Sequence, residues 1–495
     1  MALVDRTLNT VLKKVSHISR IPCEILAEIF RWTLWPGYTR VLRGREVAIP
    51  PWKLGHICRY WRETAQADPC LWSQVVIQCR NQDVSGLWRS MLKPYHPYCN
   101  PALDYPLEAI ATQLRLSRSG PLSVELRLDG RDLEQHSQYM LTLLKSVVAE
   151  SNRWVRLTIG DRGDSLGEVF NVLSQVYGRL DQLQYLCVEE GCVEWPKKLE
   201  YAFMVAPNLQ EVYLPFSLKL SHRSPGPFIW WFQLTKLDIT ARTDFLLRSL
   251  RAAKNLRDLV FSDSTEDRDL DSSQITQGIT LPQLQGLSLM YGARFVQYLS
   301  TPRLEHLDIN FGSDHILPFI IRSGCDLHSL KVHSMELADL IAILKMSPNL
   351  FHLELAYQDR GQPDEDYGDI RMGVFSALIL DGTTADICLK LGSLRFDSQY
   401  SGGDPLYGDT LCRMLHSRWR IPPHLRSLKS LDFAYQGVSN TDPIWEQLNA
   451  LKRDGLDITG LNPGLESDAA ELEVNLVRTQ FNPAFRHSML YAISP

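Results

Sequence analysis

Along the middle of the chain, apolar side chains return in one short figure, apolar-x-x-apolar-x-apolar. It occurs as Leu183/Leu186/Val188, Leu209/Val212/Leu214, Leu234/Leu237/Ile239, Leu256/Leu259/Phe261, Leu284/Leu287/Leu289 and Leu304/Leu307/Ile309. It continues as Leu327/Leu330/Val332, Leu350/Leu353/Leu355, Leu391/Leu394/Phe396 and Leu428/Leu431/Phe433, with Trp154/Leu157/Ile159 as an earlier, weaker copy. From Leu183 to Leu350 the copies lie 20 to 28 residues apart, and the last two steps stretch to 41 and 37. The last two apolar residues of each copy alternate, which is the period of a strand burying one face. Repetition at a near-constant spacing predicts that each inward row stacks on the next copy. Turn residues such as Pro207-Asn208 and Pro348-Asn349 lead into several copies. Between copies the period changes. Leu337, Leu340, Ile341 and Leu344 fall at i, i+3, i+4 and i+7, one face of a helix. Similar stripes run through 169–180, 245–250, 316–321, 411–419 and 445–451. One strand and one helix per copy predict an α/β repeat. An ordinary α/β domain also alternates strands and helices, but ten copies of one figure in one polarity favour the repeat.

Upstream, residues 21–30 predict a short helix with Pro22 in its first turn, where a missing N–H costs nothing, and with Ile25, Leu26, Ile29 and Phe30 as its apolar stripe. A second helix is predicted over about 54–65, because Leu54, Ile57, Cys58, Trp61 and Ala65 fall on one face. Asp68-Pro69 stops it, and a strand is predicted over 72–77. Residues 83–120 read as a connector with one helix at 107–116 and a Pro-rich loop at 94–106. The first strand of the array follows Gly120.

Composition narrows the function classes. The 495 residues carry 52 Lys plus Arg against 57 Asp plus Glu, a formal net charge of -5, with 44% hydrophobic and 22% charged residues. That is the balance of a folded chain. It lacks the basic excess of a nucleic-acid binder, so no nucleic-acid partner is expected. No apolar run approaches the ~18 residues of a membrane span, so no membrane partner is expected either. Residues 1–20 contain no apolar signal core, the ten cysteines form no Cys-x-x-Cys pair, and no Asn-x-Ser/Thr sequon occurs. A cytoplasmic and/or nuclear protein with reduced thiols is the expectation.

The repeated figure resembles the leucine-rich repeat family over roughly 154–458. Three residues beyond the strand, where regular members carry Asn or Cys, this chain has Gly191, Ser217, Ser264, Gly292, Gly312 and Met335. The resemblance therefore implies an irregular solenoid. The N-terminal residues Ile21-Pro22, Glu24-Ile25-Leu26, Ile29-Phe30, Ile57-Cys58, Trp61-Arg62 and Asp68-Pro69-Cys70-Leu71-Trp72 resemble the F-box, a small all-α module. The link at 32–52 is longer than in the compact form, as in F-box-like fungal proteins, which the run 117–128 also resembles. The implied organisation is an N-terminal extension (1–18), an F-box-like helical module (19–80), a connector (81–120), a leucine-rich-repeat-like solenoid (121–460) and a C-terminal cap or tail (461–495).

The resemblance implies a non-enzymatic substrate-recognition subunit of a ubiquitin ligase. The module would bind a Skp-type adaptor leading to a cullin–RING ligase, and the repeats would bind a substrate protein. The implied adaptor-binding residues are Pro22, Ile25, Leu26, Ile29, Phe30, Ile57, Cys58 and Trp61, although a module this small must also use some of them in its own core. For the substrate, the acidic stretches 263–271, 359–369 and 397–409 all follow repeat strands and should emerge on one rim. Asp364, Glu365 and Asp366 with Tyr357, Tyr367, Tyr400 and Tyr435 then make a candidate site for a basic segment. Polar loops are also polar because they are wet. Cys325, His328 and His333 could ligate zinc, but the strand pattern explains that segment and no fourth ligand is close, so neither metal nor cofactor is expected. The Gly-rich run 160–167 lacks the Lys-Ser/Thr of a phosphate loop, and no Gly-x-Ser-x-Gly or His-Glu-x-x-His occurs. Two alternatives stay open: a repeat-surface scaffold without a ligase, and a hydrolase or transferase in an α/β fold.

Overall fold

The computed structural model describes residues 21–33, 51–78, 104–128, 130–161, 167–188, 203, 205–217, 229–263, 278–291, 293–310, 314–357, 366–382, 386–398, 405–419, 427–435 and 443–459. Two compact units divide the chain, Met1–Leu234 and Thr235–Pro495. The boundary falls inside the 121–460 segment.

In the first unit three short helices, α1 (Cys23–Thr33), α2 (Trp52–Ile57) and α3 (Arg59–Ala67), precede a 3-10 turn at Pro69–Trp72. Leu26, Phe30, Leu54, Ala65, Leu71 and Trp72 form their buried cluster, with Leu116 from α4 (Asp104–Leu116) packed against it. The helix predicted over 54–65 is broken. Cys58 is extended (φ -159°, ψ 170°), and its Sγ accepts the Trp61 N–H at 3.4 Å, which makes it the N-cap of α3. Arg62 Nε donates to the Gly55 carbonyl at 2.7 Å, answering a backbone group that α2 leaves open at its end. The strand predicted to begin at Trp72 starts instead at Gln74. Pro69 opens a turn whose Cys70 N–H is capped by Asp68 at 3.1 Å, and Trp72 Nε1 is held by the Ala65 carbonyl at 2.7 Å.

Strands β1 (Gln74–Gln78), β2 (Leu122–Leu128), β3 (Trp154–Asp161), β4 (Tyr185–Val188) and β5 (Glu211–Ser217) then pair in parallel, in chain order. β1 comes from the segment predicted to close the helical module. Val75, Val124, Leu157, Leu186 and Val212 share one register row, and all are buried.

The second unit repeats the scheme. Its strands are β6 (Lys236–Ala241), β7 (Asp258–Asp263), β9 (Gly286–Leu289), β11 (His306–Ile309), β12 (Ser329–Val332), β13 (His352–Tyr357), β14 (Ser393–Ser398), β15 (Ser430–Tyr435) and β16 (Asp457–Thr459), paired in that order; β8 (Ile279–Thr280) and β10 (Leu299–Ser300) form a small side ladder. Leu237, Leu259, Leu287, Leu307, Leu330, Leu353, Leu394, Leu431 and Ile458 stand in one unbroken buried row. Burying each contributes ~1.5–3 kcal/mol.

In most copies the first leucine is a turn device as well as core. Leu183, Leu209, Leu256, Leu304, Leu350 and Leu391 each donate their N–H to the carbonyl three residues back, and the next residue reaches the preceding copy, as in Phe351 N to His328 O at 2.9 Å. The predicted helices at 245–250, 316–321 and 445–451 are found, extended by two to four residues, as Thr243–Leu250, Ile316–Ser323 and Pro443–Arg453. The stripe at 169–180 yields only Gly167–Leu173 and a 3-10 turn at Ser174–Val176. The result is an α/β fold with long parallel ladders, compatible with a solenoid-type repeat.

Candidate interaction surfaces

The N-terminal candidates divide by burial. Leu26 and Phe30 are each 1% exposed and belong to the core, with the Phe30 ring 4.8 Å from that of Trp61. Ile25 and Ile29 are 56% and 42% exposed on the other side of α1. Trp32, one turn further along that side, is 64% exposed and lies beyond the predicted stripe, which ends at Phe30. Pro22 is exposed and accepts the first helical hydrogen bond of α1 from Leu26 N at 3.0 Å. The break at Cys58 decides the fate of its neighbours. Cys58 is exposed and Ile57 is 59% exposed, whereas Trp61 is partly buried against the core. Leu26, Phe30 and much of Trp61 therefore serve the fold, whereas Pro22, Ile25, Ile29, Ile57 and Cys58 stand exposed. Arg31 holds α1 to the 3-10 turn through Asp68 at 2.8 Å, and that hydrogen bond raises its pKa.

The candidate substrate rim is described only in part. Asp364, Glu365 and Tyr400 lie outside the described residues. Asp366 and Tyr367 open the helix Asp366–Ala377, so the acidic stretch is a shorter loop than the composition predicts. The stretch 397–409 is shortened likewise, by β14 running through Ser398 and by the helix Pro405–Trp419. Register places Tyr357, Ser398 and Tyr435 in one row at the C-terminal ends of β13, β14 and β15. Asp263, at the head of the first acidic stretch, is engaged inside the fold, where it accepts the Thr243 hydroxyl at 2.6 Å.

Between the buried rows, the alternate strand positions of the second unit carry a charge ladder. Lys331 lies 3.2 Å from Glu354, Arg395 lies 3.9 Å from Glu354 and 3.4 Å from Asp432, and Thr459 donates to Asp432 at 2.9 Å. Burial alone would raise the Glu354 carboxyl. His352, 3.8 Å away, and the charges of Lys331 and Arg395 outweigh that and hold it at about 2. Such a ladder is neutralised internally and offers a partner little unanswered charge.

In the first unit the corresponding face carries two tyrosines among charged residues. The Arg156 guanidinium lies 3.8 Å above the Tyr185 ring, and the Tyr185 and Tyr213 rings are 5.1 Å apart. Burial raises the Tyr185 hydroxyl pKa, as do its contacts with Cys187.

The zinc candidates go separate ways. Cys325 is buried, which pushes its thiol up to about 11. His333 is buried 3.6 Å from Asp308, and His328 is half-exposed near Glu305. Among the described residues no three His, Cys, Asp or Glu side chains form a metal-holding group, no disulfide is present, and no helix is long and apolar enough to cross a membrane. In comparisons with known proteins, neither a family model nor a curated protein matches this chain.

Proposed function

We propose that this chain is the substrate-recognition subunit of a Skp–cullin–F-box type ubiquitin ligase. The N-terminal helices hold a Skp-type adaptor, the repeats hold a substrate protein, and partners supply all covalent chemistry. One observation carries the reading. The residues of α1 that follow the F-box pattern divide into Leu26 and Phe30, which build the core, and Ile25 and Ile29, which stand in solvent with Ile57 and Cys58 also exposed. Apolar side chains exposed along one side of a short helix support the docking reading. The substrate site on this reading is the rim of Asp364, Glu365 and Asp366 with Tyr357, Tyr367, Tyr400 and Tyr435, suited to a basic segment.

The test is co-expression of the full chain with a Skp-type adaptor. The wild type should co-purify with it. Ile25→Asp combined with Ile29→Asp should abolish capture and leave the melting temperature nearly unchanged, because surface substitutions cost within about 0.5 kcal/mol. If the wild-type chain forms no complex at micromolar concentration, the ligase reading fails and the scaffold reading takes its place.

A further inference from the structure

The alternate faces of the two units differ in how their charges are answered. In the second unit Lys331, Glu354, Arg395 and Asp432 satisfy one another. In the first unit, Glu125 is taken by Arg127 and Glu211 accepts from the Tyr213 hydroxyl at 3.3 Å. Glu211 keeps its negative charge, since a neutral phenol does not offset it, and Arg156 keeps its positive one. Arg156 is exposed and lies over the Tyr185 ring at 3.8 Å, and among the described residues no carboxylate or carbonyl oxygen answers its guanidinium. Parallel pairing puts Arg156 beside Tyr185, Tyr185 beside Glu211 and Cys187 beside Tyr213, so the cation and the two rings run diagonally across β3, β4 and β5, with Glu211 beyond Tyr185 in the row of Arg156.

We propose that this stack receives a carboxylate side chain from an acidic segment of a partner protein. Contact with the Tyr185 ring restrains the guanidinium, and the side chain is exposed, which removes part of the ordering cost of binding. A planar fork of donors with no internal acceptor is complementary to a carboxylate, which it can hold with two hydrogen bonds. The rings beside it supply apolar area of the kind concentrated at binding hot spots. This inference is independent of the ligase reading. It assigns a site for acidic segments distinct from the acidic rim.

The full chain is titrated into a fluorescein-labelled peptide of alternating Glu and Gly at low salt, followed by anisotropy, with a Lys/Gly peptide in parallel. Saturable binding of the Glu peptide is expected. Arg156→Gln should weaken it roughly tenfold, the loss of a charge-assisted contact, and Arg156→Lys should fall between, having lost the fork and the stacking. Arg395→Gln, whose charge is already paired, should leave it unchanged. Thermal melts establish that each variant is folded; if Arg156→Gln is not, Arg156→Lys decides the question. The proposal is overturned if the Glu peptide does not bind at millimolar concentration, if the Arg156 variants bind as well as wild type, if Arg395→Gln loses as much, or if the Lys peptide competes at the same site.

Discussion

Glu354 shows what the ladder does for a single residue. A carboxyl held below its ordinary value stabilises the fold when ionised, and it loses that contribution as pH falls towards its folded value. For Glu354 the window runs from the ordinary 4.5 down to about 2. Stability therefore rises with pH through this range and is flat above it. Across that window the shift corresponds to on the order of 3 kcal/mol. We predict that Glu354→Gln is destabilised at neutral pH by an amount of that order, and that its deficit against wild type shrinks as denaturation is repeated down to about pH 3. A deficit that does not change with pH would place the loss in packing. The charged residues are visible in the sequence, but their pairing depends on register across four strands far apart in the chain.

At the scale of elements, arginines tie one copy to another. Arg418, in the last turn of the helix Pro405–Trp419, donates Nε to the Leu378 carbonyl, Nη1 to that of Cys388 and Nη2 to that of Ile387, all at 2.9 Å. Burial draws its pKa down to about 10, which leaves it cationic at neutral pH. Arg153 answers the carbonyls of Leu114 and Gly120 and the Ser117 hydroxyl, and Arg322 answers Val296 and Leu299. Nothing in the apolar spacing marks these residues, because they sit among ordinary surface-type charges in the sequence. Arg418→Met leaves three buried carbonyls unanswered and should cost about 3 kcal/mol. Urea denaturation reads this directly, and an unchanged midpoint would refute the role. The break at Cys58 is the other element-scale surprise. Periodicity cannot see a cap that interrupts a stripe without a Pro or Gly, and this one turns Ile57 and Cys58 outward.

At the scale of the molecule, each ladder is held by contacts between consecutive copies, so damage should stay local. Leu353→Ala, in the middle of the buried row, should cost about 3 kcal/mol, the middle of the usual range for a cavity of this kind. Hydrogen exchange should show the lost protection centred on β12, β13 and β14. Loss spread evenly over both units would mean that the chain unfolds as one cooperative body.

Spacing alone marked the strand copies and the residues of their buried rows, because alternating apolar positions report a strand that buries one face; the parallel pairing in chain order is a result of the tertiary structure. Spacing also marked Ile25, Leu26, Ile29 and Phe30 as one stripe. Only the tertiary structure separated that stripe into Leu26 and Phe30 inside and Ile25 and Ile29 outside, and only it extended the outer set to Trp32. The physical reason is that a period reports which residues are apolar, whereas burial depends on which neighbours arrive. The same limit hid Arg156 and Glu354, two charged residues on the same kind of strand position. Glu354 is answered by Lys331, His352 and Arg395, and Arg156 by an aromatic ring. That difference exists only once distant strands are laid side by side.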